Sequence, residues 1–260
     1  FNISKNHKES IILIGNFDGV HLGHQKLFKL AHSYKKKFKL DIGVVTFEPM
    51  PKMYFNQKIK NFRLSNTNQK NKLLKDLGVD FLITKKFDKN FSKTKSNFFI
   101  KDILFKKLEA KYIFVSNNFR FGNKREGDVK QLIENEKIYN YKVVNPQPLK
   151  LSKQVISSTY IRSLLEKGNL KKANKALTRN WSIVGIVQKG RQQGKKIGFP
   201  TCNIDIKSYV VAMPGVYAVK VYIKNFKKPL KAIANLGYRP TFNQKKILLE
   251  VHIFNFSGNL

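Results

Sequence analysis

Short apolar runs alternate with helical patterns along the first part of the chain. Residues 11–14 are consecutive apolar side chains that end at Gly15, a length typical of a buried strand. Similar runs predict strands at 42–47, 81–83, 112–115 and 141–144, and apolar residues at helical spacing predict helices at 24–38, 68–77, 97–108 and 128–139. Strands that alternate with helices predict an α/β domain built on a parallel sheet.

The pattern changes near Trp181. Beyond it, short strands are predicted at 183–187, 216–223, 230–234 and 247–254, with Gly, Pro and Asn residues between them. Such a series is typical of a small antiparallel β-barrel. We therefore expect two domains, residues 1–178 and 179–260, with one more helix over 171–177.

Polar loops follow the first, second and fourth predicted strands. The loops begin at Gly15, Phe47 and Ser116 and read GNFDGVHLGH, FEPMP and SNNFRFGNKREGD. Pro49 and Pro51 predict a fixed loop after the second strand. Because ligands bind at the carboxyl ends of parallel strands, these loops are expected to form a binding site.

His21 and His24 carry the chemistry of the first loop. If a helix opens near Leu22, both imidazoles lie at its N-terminus, where free N–H groups and the helix dipole favour a phosphate. Metal binding by the two histidines is an alternative. A zinc site needs three or four ligands with suitable spacing, and Asp18 is the nearby residue that could join the pair. Either histidine taken singly is compatible with a structural role.

Composition narrows the classes of function. The net charge is +35, but basic residues are spread along the chain without a recognisable module, so nucleic acid is not expected as the main partner. No apolar run of about eighteen residues predicts a membrane span. The single cysteine, Cys202, fits a reducing compartment, so a cytoplasmic location is expected. The chain lacks an initiating Met, which leaves an upstream segment open, and a homo-oligomer is compatible with the sequence.

The second domain offers two groups suited to phosphate chemistry. Pro200 fixes a turn in which the Thr201 hydroxyl and the Asn203 amide point the same way, and such oxygen ligands suit Mg²⁺ held with a nucleotide. A turn without chemistry is the other interpretation. Glu250 interrupts an apolar strand, as either a paired surface residue or a positioned base. The glycine-rich loop 190–195 lacks the spacing of a Walker motif.

Together these motifs resemble the bacterial bifunctional riboflavin kinase/FAD synthetase family over nearly the whole chain. Its FMN adenylyltransferase domain, a Rossmann-like nucleotidyltransferase, is matched from Gly15, Thr46, Asn117 and Ile156 by GNFDGVHLGH, TFEPMP, NNFRFGNKREGD and ISSTYIR. Its riboflavin kinase barrel is matched from Gly198, Pro214, Asn235 and Leu249 by GFPTCNI, PGVYAV, NLGYRPTF and LEVHIFNFSGNL. Eight motifs in the family's order make coincidence an inadequate explanation.

The resemblance implies two ATP-dependent steps, riboflavin to FMN and FMN to FAD, with ATP, riboflavin and FMN as partners and Mg²⁺ accompanying ATP. In the adenylyl transfer, His21 and His24 would stabilise phosphate charge while pyrophosphate leaves. The residues implied to bind ATP or FMN there are Gly15, Asn16, Phe17, Asp18, Asn118, Arg125, Ser158, Thr159 and Arg162. In the kinase, Glu250 would be the base, Thr201 and Asn203 would hold Mg²⁺, and the residues implied to bind ATP or flavin are Gly198, Pro200, Thr201, Asn203 and Arg239.

The chain departs from the family pattern in a few places. Ser116, Cys202 and Met50 stand where the family usually has Gly, Ala and His. The chain stops at Leu260, inside the family's FxGNLYG motif, so the kinase domain is expected to be truncated. The alternatives are FAD synthetase activity alone, with an impaired kinase, or another HxGH nucleotidyltransferase. The latter does not explain GFPTCNI and the β domain.

Overall fold

The computed structural model describes residues 3–188, 200–206, 208–224, 226–241, 244–258 and 260, and of residues 239–241 and 244–246 the backbone alone. The chain divides into two compact units. The first comprises Phe1–Ile59, Thr67–Tyr160 and Ala176–Thr178, and the second comprises Lys60–Asn66, Ile161–Lys175 and Arg179–Leu260. Two short segments from the first part of the chain thus group with the second unit, and the division into domains at residue 178 stays a prediction.

The elements follow one another as strands and helices in the first unit and mainly as strands in the second. The strands are β1 (Ile11–Ile14), β2 (Ile42–Glu48), β3 (Phe81–Lys86), β4 (Tyr112–Phe114), β5 (Arg120–Phe121), β6 (Gly127–Asp128), β7 (Lys142–Val144), β8 (Lys150–Leu151), β9 (Gln154–Val155), β10 (Val187–Gln188), β11 (Cys202–Ile204), β12 (Gly215–Val221), β13 (Leu230–Thr241) and β14 (Gln244–Ile253). The helices are α1 (Leu22–Phe38), α2 (Pro51–Phe55), α3 (Thr67–Asp76), α4 (Lys89–Ser92), α5 (Ser96–Phe98), α6 (Val129–Glu134), α7 (Glu136–Tyr139), α8 (Ser158–Glu166) and α9 (Leu170–Leu177), with 3₁₀ turns at Lys5–His7 and Asn123–Arg125 and a π-helix at Phe99–Lys107.

A five-stranded parallel sheet forms the centre of the first unit, as the alternation predicts. The strand order is β3-β2-β1-β4-β7, and every pair is parallel. Ile11 and Leu13 pack on one face of β1 with Phe28 of α1, while Ile12 and Ile14 pack on the other. Apolar side chains on both faces explain why β1 is a continuous apolar run rather than an alternating one.

Three helical segments differ from the sequence prediction. A short helix, α2, begins at Pro51 where a fixed loop was expected, because proline suits the first turn of a helix. The segment predicted as a helix over 128–139 is divided into α6 and α7. The Asp128 carboxylate caps α6, because it accepts a hydrogen bond from the Gln131 amide at 3.0 Å. The segment predicted over 97–108 is largely the π-helix, whose wider turn matches the four- and five-residue intervals between buried Phe99, Ile103 and Leu108.

An antiparallel sheet forms the second unit, as predicted for this part of the chain. Its strand order is β10-β11-β14-β13-β12. Ala232, Ala234, Val251 and Ile253 pack together on one face as its buried core. β13 and β14 extend beyond the predicted strands, whereas the strand predicted over 183–187 is limited to β10.

None of the helices in the described part of the chain has the length and apolar character needed to cross a bilayer. α1, the longest of them, carries a run of lysines in its last turn.

Gly43 provides a test of packing in the first sheet. It pairs in register with Phe81, and a Cβ built at Gly43 would lie 2.2 Å from the Phe81 Cζ. The Phe81 ring also stacks on His7, with 4.4 Å between ring centroids. We expect Gly43→Ala to lower the free energy of unfolding by about 1–3 kcal/mol, because the ring must move away.

The matched control is Gly237→Ala, since no described atom lies within 4 Å of a Cβ built there. Urea unfolding followed by circular dichroism compares both variants with the parent protein. Equal stability of the two alanine variants would contradict the packing assigned to Phe81.

Candidate active sites

The turn between β1 and α1 has an unusual backbone. Phe17, Gly19 and Val20 have φ angles of 48°, 81° and 41°, and the Val20 amide donates to the Phe17 carbonyl at 3.1 Å. Glycine tolerates such a conformation, but a β-branched valine is strained in it. Strain of this kind persists only where the surroundings hold it, and it is common at functional sites. The turn delivers His21 to the start of α1.

The two histidines of this loop lie at the N-terminus of α1, as the spacing predicts, and their rings stack on each other. His21 is the N-cap residue, and its Nδ1 accepts from the His24 amide at 3.4 Å. The ring centroids are 3.7 Å apart, with 20° between the planes. Because Nδ1 of His21 accepts, the proton of the neutral ring lies on Nε2.

His24 is held as a neutral imidazole. Burial lowers its pKa well below the ordinary value of 6.5, and the neighbouring His21 lowers it further. Its Nδ1 is shielded from solvent and has no hydrogen-bond partner in the part of the chain that the structure describes. At neutral pH the His24 ring can therefore act on a phosphate through a hydrogen bond rather than through a net charge.

Phe17 and Asp18, in the turn before His21, anchor the loop that carries the two histidines. The Phe17 side chain is buried and packs against His24 and Phe28, with ring centroids 5.2 and 5.3 Å away. A Cβ at Gly15 would lie 3.2 Å from the Phe17 ring, so the glycine allows the close approach. Asp18 is also buried, and its carbonyl accepts from the Ser158 hydroxyl at 2.8 Å. The structure thus brings Ser158, predicted from a distant motif, to the first loop.

A buried lysine beneath the loop was missed by the sequence reasoning. Lys70 is only 3% exposed, and its Nζ donates to the Thr46 hydroxyl at 3.0 Å. The Thr46 hydroxyl in turn donates to the Asn16 carbonyl at 3.4 Å. The available signal was the position of Lys70 one turn before the buried Leu74, on the apolar face of α3.

The other predicted residues of the first site lie on several loops. Asn118 follows β4, which pairs directly with β1, so its loop shares the carboxyl edge of the sheet with the histidine loop. The Ser116 hydroxyl donates to Asn118 Oδ1 at 3.0 Å. Arg125 is exposed at the end of a 3₁₀ turn, and Thr159 is exposed in the first turn of α8.

Arg162, one turn further along α8, belongs to the second compact unit. Its Nε donates to the Phe62 carbonyl at 2.6 Å, and its guanidinium lies 3.6 Å from the centroid of the Phe62 ring. The stacked, planar geometry explains why an arginine rather than a lysine stands here. Its predicted role toward ATP stays a prediction.

The second candidate site is a row of polar side chains across the antiparallel sheet. Asn203 of β11 pairs in register with Glu250 of β14, and Glu250 pairs with Asn235 of β13. Directly opposite residues share one face of a sheet, and this face is opposite to the core that contains Val251 and Ala234. The sequence reasoning did not select Asn235, although it alternates with buried Ala234 and Leu236.

The remaining predicted residues flank this row. Thr201 is exposed just before β11, and Pro200 is exposed beside it. Arg239 lies in β13, paired in register with Lys246. Gly198 and the glycine-rich loop 190–195 lie outside the described residues.

Oxygen atoms, rather than a cluster of classical metal ligands, are available for a cation. Among the described residues, no group of three or more His, Cys, Asp and Glu side chains could hold a metal ion. The Asn203 Oδ1 atom is shielded from solvent and has no hydrogen-bond partner in the described ranges. A hard oxygen left in this state fits Mg²⁺, which takes few protein ligands when it also contacts phosphates.

The pKa of His24 gives a direct test of the first site. We expect its Cε1 proton, followed by NMR, to titrate with a midpoint well below 6.5. Because the unfolded chain takes up this proton more readily than the folded one, His24 lowers stability as the pH falls through 6.5 and below.

A His21→Asn variant separates the two causes, since asparagine keeps the cap but removes the second imidazole. The midpoint of His24 should rise and still remain below 6.5, because burial is the larger cause. His24→Gln assigns the resonance. A midpoint at 6.5 in the unaltered protein would contradict the buried, neutral His24.

Comparison with known proteins assigns a family to each half of the chain. A family model for FAD synthetase matches residues 3–160, and a model for riboflavin kinase matches residues 177–260. A bifunctional riboflavin kinase/FMN adenylyltransferase of Buchnera aphidicola subsp. Schizaphis graminum is 39% identical, with 100% of this chain and 84% of the relative covered. The Escherichia coli K12 protein of the same name is 36% identical, with 100% and 83% covered.

A solved structure has the same fold over almost the whole chain. It is described as a macrolide-efflux protein from Streptococcus pneumoniae, with a TM-score of 0.81, 31% identity, and coverage of 97% of this chain and 82% of that one. The two family models and the relatives agree with the eight motifs and with the two sheets. The chain belongs to the bifunctional riboflavin kinase/FMN adenylyltransferase family.

Proposed function

We propose that this protein makes FAD in two steps: it phosphorylates riboflavin to FMN and then adenylylates FMN, using ATP with Mg²⁺ in both steps. The adenylyltransferase domain is residues 1–178 and the kinase domain residues 179–260. The stacked pair of His21 and His24 at the N-terminus of α1 is the observation that carries the adenylyl-transfer half. The polar row around Glu250 supports the kinase half.

In the adenylyl transfer, a phosphate oxygen of FMN attacks the α-phosphorus of ATP. The bond between that phosphorus and the oxygen leading to the β-phosphate breaks, and pyrophosphate leaves. His21 and His24 donate hydrogen bonds to the phosphate oxygens as charge develops, together with backbone N–H groups of the first turn of α1. A neutral His24 ring suits this task, because a buried imidazolium would cost far more desolvation.

The other residues of the first site hold the substrates. The backbone of Gly15, Asn16 and Asp18 forms the loop against which the nucleotide binds, and Phe17 keeps this loop and His24 in place. Asn118 and Arg125 contact phosphates of FMN or ATP, while Ser158, Thr159 and Arg162 hold the triphosphate. Positioning and electrostatic stabilisation then supply the rate, because phosphoryl and nucleotidyl transfer need little covalent chemistry from the protein.

In the kinase step, Glu250 takes the proton from the 5′-hydroxyl of riboflavin while that oxygen attacks the γ-phosphorus. The bond from the γ-phosphorus to the bridging oxygen breaks, and ADP leaves. Thr201 and Asn203 hold Mg²⁺, which when bound neutralises phosphate charge. Gly198, Pro200 and Arg239 bind ATP or flavin in this proposal. The Asn203 Oδ1 atom, which has no hydrogen-bond partner among the residues that the structure describes, supports this assignment.

A cytoplasmic location is part of the proposal, in line with the single cysteine. The name of the similar pneumococcal structure concerns macrolide efflux, but both halves of this chain match models of flavin-handling enzymes. The proposal therefore follows the families of the two halves. An HxGH nucleotidyltransferase with another acceptor would leave the second domain unexplained.

Two variants should separate the two reactions. His24→Ala should slow formation of FAD from FMN by about a hundredfold or more, because a donor to the developing charge is lost. It should leave formation of FMN from riboflavin unchanged. Glu250→Gln should slow formation of FMN by about 10²–10⁴-fold and spare formation of FAD from added FMN. Flavins separated by chromatography report both rates in one sample.

His32→Ala and Glu134→Gln are matched controls at positions away from both sites, and both should keep the two activities. Circular dichroism and thermal unfolding check that each variant is folded, because the unaffected reaction reports on the other domain alone. Loss of both reactions in folded His24→Ala would refute two separate sites.

A further inference from the structure

The strand that carries Glu250 also presents a histidine on the same face. Glu250 and His252 are two residues apart in β14, so their side chains point to the same side of the sheet. Leu249, Val251 and Ile253 point to the opposite side and pack in the core. The His252 ring is therefore placed beside the polar row and is not a core residue.

His252 contacts the segment that leads into β11. One of its ring nitrogens, Nδ1, lies 2.8 Å from the Pro200 carbonyl oxygen. A carbonyl only accepts, so Nδ1 carries the proton and donates. The ring also packs edge-on against Phe254, with 5.6 Å between centroids and 76° between the planes, which orients the donor.

The bonded carbonyl belongs to the peptide that joins Pro200 to Thr201. β11 begins at Cys202, and the register pair nearest to Thr201 is Cys202 with Val251. Thr201 thus lies just outside the ladder, level with His252. The hydrogen bond from His252 to the Pro200 carbonyl fixes the plane of the Pro200–Thr201 peptide. It thereby fixes the direction of the Thr201 side chain.

We propose that His252 is a positioning residue for the kinase step: it holds the Pro200–Thr201 peptide so that the Thr201 hydroxyl meets the phosphates of ATP beside Glu250. This inference rests on the proposed riboflavin kinase function. His252 need not touch a substrate, and it acts through the carbonyl that it binds. Small misplacements of a group that organises phosphates are costly in rate, so one hydrogen bond at the surface suffices for a kinetic effect.

Two substitutions separate the donor from the ring. His252→Phe keeps a ring that can pack on Phe254 but removes the donor. His252→Asn places an amide N–H close to the position of Nδ1. We expect the phenylalanine variant to lose about ten- to a hundredfold in kcat/KM for ATP in riboflavin phosphorylation. The KM for riboflavin should stay unchanged, and His252→Asn should recover most of the loss.

The matched control is His32→Phe. Its Nε2 also lies against a backbone carbonyl, that of Leu77 at 2.6 Å, but in the first unit. This variant should keep the kinase parameters, and all three variants should form FAD from added FMN at the rate of the parent protein. Hydrogen exchange at the Thr201 and Cys202 amides should be faster in His252→Phe than in His252→Asn.

Each outcome decides the proposal. A folded His252→Phe protein with unchanged kcat/KM for ATP would overturn it, and so would equal losses in the phenylalanine and asparagine variants. If the parent protein forms FAD from FMN but never phosphorylates riboflavin, the proposed kinase function fails and this inference falls with it. Loss confined to His252→Phe supports both.

Discussion

The central place of β1 in the parallel sheet is the constraint on which the first site depends. The chain leaves β1 for β2 on one side and returns to β4 on the other, so the strand order reverses at β1. Loops after such a reversal open a crevice at the carboxyl edge. The strained turn at Phe17 to Val20 follows there, and it places two imidazoles at the N-terminus of α1. The carboxyl end of β1 thus combines the reversal of strand order with the loop that carries the two histidines.

The antiparallel sheet aligns the residues of its candidate site through strand alternation and register alone. Alternation along β11, β13 and β14 sends apolar side chains to the core and leaves Asn203, Glu250 and Asn235 aligned on the other face. Register, rather than a special loop conformation, sets the row, because a slip by one residue would move every polar group into the core. Two unrelated architectures therefore serve successive steps, and FMN, the product of one, is the substrate of the other.

Local pattern was enough to predict much of this protein. The five parallel strands, α1 and the histidines at its start follow from apolar runs and loop chemistry near in sequence. Contacts between distant residues were beyond such reasoning, as the bonds from Lys70 to Thr46 and from Ser158 to Asp18 show. The register that joins Asn203 to Glu250 likewise depends on pairing across the chain, and the sequence suggested both residues but not their alignment.

The central claim is that two successive transfers occur at different phosphorus atoms of ATP. The fate of labelled phosphorus tests this claim most directly. The protein is incubated with riboflavin, Mg²⁺ and ATP labelled at either the α- or the γ-phosphorus, and the flavins are separated. Label from the γ-position should appear in FMN and in FAD, whereas label from the α-position should appear in FAD alone. Label from the α-position in FMN, or no label in any flavin, would contradict the account.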